Sequence, residues 1–247
     1  MANTEADWQT APTYSFTETD VVDGKPESTK TYKVMMIDGS PYNEVVVANG
    51  RPLTSAESAH EAHKLRAEIA RRQHETPDER QTRIAQYDRE RRQDRELLQQ
   101  MVKAMDFRVM GEETVNGRRC FVLEGLPKPG YRPINRDAKV LTGMRGKMWI
   151  DEQEYQWVKV EAEVFRPVAF GMFIAHVEPG TKFTLEQQPV EGKLWLPSHF
   201  EMRVRAKVLG FWSHNSNDEE TYSDYRRGSQ NGGASAATRA DPGKPGG

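Results

Sequence analysis

Apolar and polar residues alternate strictly along two long segments in the second half of the chain. In segment 156–165 the even positions from 158 onwards are apolar and the odd positions between them are charged, and segment 200–208 repeats this pattern. The apolar positions are Val158, Val160, Ala162 and Val164 in the first segment, and Phe200, Met202, Val204, Ala206 and Val208 in the second. Successive side chains of a strand point to opposite faces, so this period predicts two long strands, each with one apolar and one charged face.

Further strand-like segments are separated by dipeptides that favour tight turns. Asp23-Gly24 follows the segment 14–22, and Asn116-Gly117 joins the segments 107–115 and 118–124. Asn-Gly and Asp-Gly supply the positive φ angles that two-residue hairpin turns require. The regular succession of strands and turns predicts a mainly β protein, built as one highly curved antiparallel sheet with an apolar inner face.

The segment 54–105 interrupts the β pattern with two helix starts. Thr54 is a candidate N-cap, and Glu57 three residues later completes a capping box. Thr76-Pro77 marks a second start, with proline at the first helical position. Acidic and basic residues interleave along most of the segment, which is typical of a solvated helix with i,i+4 ion pairs. Only the end of the second helix is apolar, so we expect that end to dock on the sheet.

The tails differ in composition from the rest of the chain. We predict a flexible N-terminus over 1–13, a single curved-sheet domain over 14–227 with the helical insertion 54–105, and a disordered tail over 228–247. The tail is rich in glycine and small polar residues and has few apolar side chains to bury.

Composition and charge narrow the classes of function. The chain has 247 residues and a net charge of -2, with 35 basic and 37 acidic residues. Without a general positive field, nucleic-acid binding is disfavoured. No segment approaches the roughly 18 consecutive apolar residues of a spanning helix, and the first residues lack the pattern of a signal peptide. The single cysteine, Cys120, lies in a strand-like segment and is expected to be a core thiol.

Motifs that would indicate catalysis or metal binding are missing or incomplete. His60-Glu61-Ala62-His63 differs from the zinc-protease motif, which needs its second histidine where Lys64 stands. The chain contains no Gly-x-Ser-x-Gly turn and no glycine-rich phosphate loop. We therefore predict a protein that is not an enzyme, with no catalytic residues, no metal site and no cofactor.

The apolar face is the best candidate for a functional surface. A strongly curved sheet fills its concave side with side chains, a helix or a ligand, and an ordinary closed core and a ligand cavity are equally compatible with the pattern. If it is a cavity, the residues expected to line it are Met148, Ile150, Val158, Val160, Val164, Met172, Phe200, Met202 and Val204 of the strands, and Leu98 and Met101 of the helix.

The order of elements resembles the lipoprotein-carrier family of LolA and LolB. The similarity lies in the segments 111–123, 146–151 and 156–159, and in Trp195-Leu-Pro197, which opens the strand through Val208. The chain departs from the family pattern in its long charged insertion, which follows a third early strand.

The resemblance implies an incomplete antiparallel β-barrel covered by helices, in a periplasmic protein that shelters acyl chains in its concave cavity. The expected function is then a periplasmic carrier of lipid or lipoprotein acyl chains, with a membrane-associated protein as a further partner. The alternative is a periplasmic protein-interaction or sensor domain of the same fold without lipid cargo. Since the chain shows no signal peptide, we expect a periplasmic protein whose leader has been removed.

Overall fold

The structure is a computed structural model that describes residues 2–135, 137–170, 175–208 and 212–228. Within them, one antiparallel sheet contains β1 (Tyr14–Val22), β2 (Lys30–Ile37), β3 (Ser40–Ala48), β4 (Arg51–Pro52), β5 (Met105–Val115), β6 (Arg118–Pro127), β7 (Met144–Asp151), β8 (Trp157–Val164), β9 (Val168–Phe170), β10 (Ala175–Val177), β11 (Lys182–Glu191), β12 (Leu194–Val208) and β13 (Trp212–Arg227). The helices are α1 (Ala2–Thr10), α2 (Ser55–Gln73) and α3 (Pro77–Ala104), and a 3-10 helix spans Asp137–Gly143.

Eleven of these strands form a continuous path in the order β4-β3-β2-β1-β13-β12-β11-β8-β7-β6-β5, while β9 and β10 join at β12. The terminal strands β4 and β5 do not pair with each other, so the curved sheet is not closed into a barrel. The predicted fold class, a mainly β protein with a helical insertion and an incomplete barrel, is confirmed. The pairing of β1 with β13 links the four N-terminal strands to the rest of the sheet.

A two-residue turn joins β5 to β6 where the sequence predicts it, with φ angles of 51° at Asn116 and 77° at Gly117. Asp23 and Gly24 also have positive φ angles, 54° and 63°, but they begin a longer connection to β2 that contains a 3-10 helix at Pro26–Ser28. Two consecutive positive φ angles define the turn whose twist matches that of antiparallel strands. The β5–β6 hairpin therefore has a local cause in the sequence.

The strand register produces the two faces that the alternation predicts. Leu123, Met148, Val160, Leu185 and Phe200 lie side by side in one row across β6, β7, β8, β11 and β12. The neighbouring row on the opposite side contains Glu124, Lys147, Glu161, Thr184 and Glu201. We call the side of the first row the apolar face and the side of the second row the charged face.

A β-bulge changes the alternation at the start of β8. The register between β7 and β8 shifts between Trp149 and Ile150, leaving Val158 without a direct partner. Val158 is 1% exposed and packs with Trp149 and Cys120, two residues whose strand positions belong to the charged face. The extra residue of a bulge turns its side chain away from the regular pattern. Val158 therefore does not lie on the apolar face with Val160, although the alternation in the sequence predicts that it does.

Both helices of the insertion begin with the predicted capping boxes. The Oγ1 atoms of Thr54 and Thr76 accept hydrogen bonds from the backbone N–H groups of Glu57 and Glu79, and both glutamates accept bonds in return. Arg72, at the end of α2, is 7% exposed and attaches this helix to the turn between β2 and β3. Among the helices of the described residues, none combines the length and apolar character needed to cross a bilayer.

The N-terminal segment 1–13 contains α1, where the sequence predicts a flexible tail. The Asp7 side chain accepts a hydrogen bond of 2.5 Å from Gln156 Nε2, and both side chains are buried. Glu5 pairs with Arg95 of α3, and Arg91 lies over the ring of Trp8 at 4.4 Å. All three contacts involve residues distant in sequence, which explains why local composition does not reveal this helix.

A candidate ligand-binding face

The apolar face is covered at one end by the last turn of α3 and by the 3-10 helix. Six buried side chains form the cluster under this cover: Ala104, Met105, Ala138, Leu141, Met144 and Val164. Met101 of α3 and Phe183 of β11 pack against the cluster at its margin. Tyr131 strengthens the cover because its hydroxyl group lies 3.0 Å from Gln100 Oε1 of α3. The prediction that the apolar end of the second helix docks on the sheet is confirmed.

A small apolar cavity of about 30 Å³ lies beside this cluster. Its lining includes Met101, Met105, Phe107, Leu141, Met144, Met148, Val160 and Phe183. A volume of 30 Å³ accommodates about one or two water molecules, whereas pockets for drug-sized ligands measure roughly 300–1,000 Å³. In this conformation the part of the face beneath α3 is closed by its own side chains and by the helix.

The predicted lining residues are brought together only in part. Met101, Met148 and Val160 line the cavity, and Val164 belongs to the buried cluster beside it. Six others do not line this cavity, although Phe200 lies in the same apolar row as Met148 and Val160. Phe200 and Met202 lie opposite Leu185 and Phe183, Val204 lies opposite Ser216, Ile150 lies opposite Phe121, Leu98 is half-buried on α3, and Val158 packs in the separate cluster described above. Met172 lies outside the described residues.

Several lining residues escape the sequence-based prediction for identifiable reasons. Phe183 alternates with Leu185 in a segment that the sequence marks as a strand, so its period of two contains the necessary signal. Leu141 belongs to the 3-10 helix, and Met144 begins β7 directly after it. That region has no extended periodicity, and its burial depends on contact with α3.

The cover does not extend to the edge strand β5. Phe107 is 39% exposed, Val109 is 66% exposed and Met110 is 50% exposed. Val102 of α3 is also exposed, at 40%. Exposed apolar side chains concentrated at one edge are typical of a binding surface, whereas single ones are common on any protein. The apolar face is therefore buried under α3 and open at β5.

At its other end the apolar face becomes acidic. Phe200 and Met202 of β12 lie opposite Glu220 and Asp218 of β13, and Glu220 in turn lies opposite Asp20 of β1. Burial is the main reason why the pKa of Asp20 is raised. Carboxylates on the partly buried face of a sheet require neighbours that balance their charge or protonation that removes it.

The charged face carries an open groove of about 430 Å³ between β6 and β12. Basic and acidic side chains alternate along it, including Arg145 beside Glu163 at 3.4 Å and Arg203 beside Glu201 at 2.7 Å. Because positive and negative side chains are paired along the groove, their fields largely cancel, and the groove attracts neither anions nor cations selectively. In the part of the chain that the structure covers, no three His, Cys, Asp or Glu side chains are grouped so that they could hold a metal ion.

Comparisons with known proteins find similarity only among solved structures. No protein-family model matches the chain, and no curated protein is significantly similar to it. A domain from Vibrio parahaemolyticus described as an outer membrane lipoprotein-sorting protein has 13% identity and a TM-score of 0.37, with 95% of this chain and 93% of that chain covered. A DUF1329 family protein from Desulfovibrio piger has 11% identity, a TM-score of 0.30 and 92% coverage of both chains.

The LolA superfamily protein NE2245 from Nitrosomonas europaea is also similar, with 10% identity and a TM-score of 0.29 over 90% of this chain and 92% of that chain. The resemblance suggested by the sequence is thus also found among solved structures.

Proposed function

We propose that this protein binds the acyl chains of lipids or lipoproteins on its apolar face, as a binding or carrier protein of the periplasm. The observation that carries the proposal is the apolar row across five strands, which is covered at one end by α3 and open at β5. An apolar sheet face is stable in water only when something covers it. Long apolar chains are suitable occupants because the row is continuous and contains the flexible side chain of Met148.

Binding of an acyl chain requires the last turns of α3 to move. The cavity of about 30 Å³ beneath them is too small for any chain longer than a few atoms. Leu98 and Met101 are only half-buried, and the neighbouring Leu97 and Val102 are exposed, so this end of α3 is held by few fully buried side chains. Elements with few buried apolar contacts open at low cost in free energy. The end of α3 therefore acts as a lid on the apolar face.

The proposal is tested by titrating the protein with a fluorescent fatty acid. Met148→Glu places a carboxylate on the apolar face beside the cavity, and we expect it to weaken binding at least about tenfold, because burying a charge without a partner is costly. Lys182→Glu is the matched control, since Lys182 precedes the cavity-lining Phe183 on β11 and is exposed on the charged face, opposite Glu163. Circular dichroism establishes that both variants are folded.

Phe107→Glu provides a second variant in case Met148→Glu does not fold. Phe107 lines the same cavity but is 39% exposed on the edge strand, so the substitution should preserve the fold. If wild-type protein fails to bind the probe, or if the control loses as much affinity as both test variants, acyl-chain binding on this face is refuted. Cell fractionation of the expressing organism tests the proposed periplasmic location separately.

A protein-interaction domain without lipid cargo is the second candidate, and the exposed edge of the sheet favours it. On the outer side of β5 no described strand pairs with its backbone, and Val109 and Met110 expose apolar side chains there. Such an edge can accept an extended segment of another protein as an additional strand. Mass spectrometry of a solvent extract distinguishes the candidates, because only the carrier should contain co-purifying lipid.

A further inference from the structure

Acidic side chains meet across the junction that joins the two parts of the sheet. Asp20 of β1 lies directly opposite Glu220 of β13, and Glu18 lies two residues away, opposite Tyr222. All four positions share one face, because directly opposed residues of antiparallel strands point to the same side. Three carboxyl groups therefore occupy one small region of the β1–β13 junction.

The residues around these carboxyl groups offer little compensating charge. On β2, Lys30 lies opposite Asp20 but is exposed, and Tyr32 lies opposite Glu18. On β13, the hydroxyl group of Tyr222 donates a hydrogen bond to Glu220, and Asp218 adds a fourth carboxylate, which accepts a hydrogen bond of 3.2 Å from Ser216 Oγ. On β12, the facing residues Phe200 and Met202 are apolar.

One carboxylate oxygen in this region lacks an ordinary hydrogen-bond donor. Asp20 Oδ1 is buried, and none of the usual donor groups of the described residues reaches it. Glu18 is hydrogen-bonded to Asp20 if one of the two carboxyl groups carries a proton. Burial, followed by the charges of Asp20 and Glu220, raises the pKa of Glu18 to about 7. A protonated Glu18 thus donates a hydrogen bond to the Asp20 carboxylate and removes one of the opposing charges.

We propose that Glu18 and Asp20 share one proton at neutral pH, and that its loss as the pH rises loosens the junction between β1 and β13. This junction is the one through which β1–β4 join the rest of the described sheet. Loss of the proton removes the hydrogen bond that Glu18 donates to the Asp20 carboxylate and places the negative charges of Glu18, Asp20 and Glu220 together. The junction is therefore a pH-sensitive element that does not depend on any ligand.

The direction of the pH effect follows from proton linkage. Glu18 binds its proton more tightly in the folded protein than in the open one, because its pKa is raised from 4.5 to about 7. Its contribution to stability is therefore fully present below pH 4.5 and is lost as the pH rises through about 7. Between these values the equilibrium constant for opening the junction should increase by up to about tenfold per pH unit. Partial exposure of the side chain makes this an upper bound.

The proposal is tested by hydrogen exchange of the backbone amides of β1 and β13. The exchange rates are measured at pH 5.5, 6.5 and 7.5 and corrected for the pH dependence of the intrinsic rate. In the wild type, we expect protection at this junction to fall as the pH rises. Glu18→Gln keeps a hydrogen-bond donor for the Asp20 carboxylate but cannot ionise, so the protection of this variant should change much less with pH. Glu44→Gln is the control, because Glu44 lies on β3, two strands from β1, and faces the other side of the sheet, opposite Lys33.

A carboxyl-carbon NMR titration of Glu18 provides a measurement that does not require a variant to fold. A midpoint near pH 7 supports the shared proton, and a midpoint near 4.5 overturns it. Equal pH dependence of protection in the wild type and in Glu18→Gln would also overturn the proposal. A proton-sensitive junction should lose protection with rising pH only in β1 and β13 of the wild type. This loss should be absent in Glu18→Gln and should be the same in Glu44→Gln as in the wild type.

Discussion

Arg72 should be one of the most important polar side chains for the stability of this protein. Its guanidinium group donates hydrogen bonds to the carbonyl oxygens of Ile37 at 2.6 Å, Ser40 at 2.8 Å and Pro41 at 3.1 Å. Its Nε atom also donates to Glu68 Oε1 at 2.6 Å within α2. The side chain therefore joins α2 to the turn between β2 and β3, at a site that is largely closed to water.

Replacing Arg72 with methionine keeps an unbranched side chain but removes every donor. Each partly buried carbonyl left unpaired costs about 1–3 kcal/mol, and water can reach some of them after the substitution. We therefore expect the free energy of unfolding to fall by about 3–5 kcal/mol, the range found when one member of a buried ion pair is removed. Urea denaturation monitored by circular dichroism measures this change from the transition midpoint and the m-value.

Arg71→Met is the matched control for this substitution. Arg71 is the adjacent residue and pairs with the same Glu68 and with Glu75, which keeps its partner Arg83 in the variant. The Arg71 side chain is 54% exposed, and no carbonyl of the sheet accepts a hydrogen bond from it in the described structure. Exposed ion pairs contribute about 0–1 kcal/mol, so the control should remain close to the wild type. If Arg72→Met loses less than about 1 kcal/mol, or no more than Arg71→Met, then the hydrogen bonds to the turn do not stabilise the fold as argued.

Three further predictions concern backbone packing, helix capping and acid stability. Gly146→Ala would place a Cβ atom 2.3 Å from the carbonyl oxygen of Glu161, and this backbone contact should lower stability by about 3 kcal/mol or more, measured by calorimetry. Thr76→Ala removes the N-cap of α3 and should cost about 1 kcal/mol in urea denaturation; no measurable loss would contradict the capping role. Hydrogen bonds and charges from arginines lower the pKa of Glu68 to about 2, so its stabilisation is present above pH 4.5 and is lost as the pH falls towards 2. Glu68→Gln should flatten this acid dependence, and an unchanged profile would refute the assignment.

Much of the β architecture could be predicted from the sequence because its signals are local. The period of two in β8 and β12 reflects side chains that alternate between water and apolar neighbours. Asn116-Gly117 forms the predicted hairpin because these residues tolerate positive φ angles. The capping boxes at Thr54 and Thr76 depend on residues only three positions apart.

The candidate site could be predicted only in part, because its composition depends on contacts between distant segments. Val160 and Met148 line the cavity as expected, but the bulge in β8 moves Val158 into another cluster. Nothing in the local sequence marks that bulge. Leu141 becomes a lining residue because the 3-10 helix packs beside the end of α3, which is separated from it by two strands.

The sequence by itself thus determined the strands, their turns, the two helix starts and the contrast between an apolar and a charged face. Tertiary structure alone decided which strands meet, and with this it placed Asp20 opposite Glu220 and joined α1 to α3. The physical reason is the range of the interactions. Alternation, turn conformation and capping act over a few residues, whereas the burial and the pKa of a side chain depend on whichever distant segment packs against it.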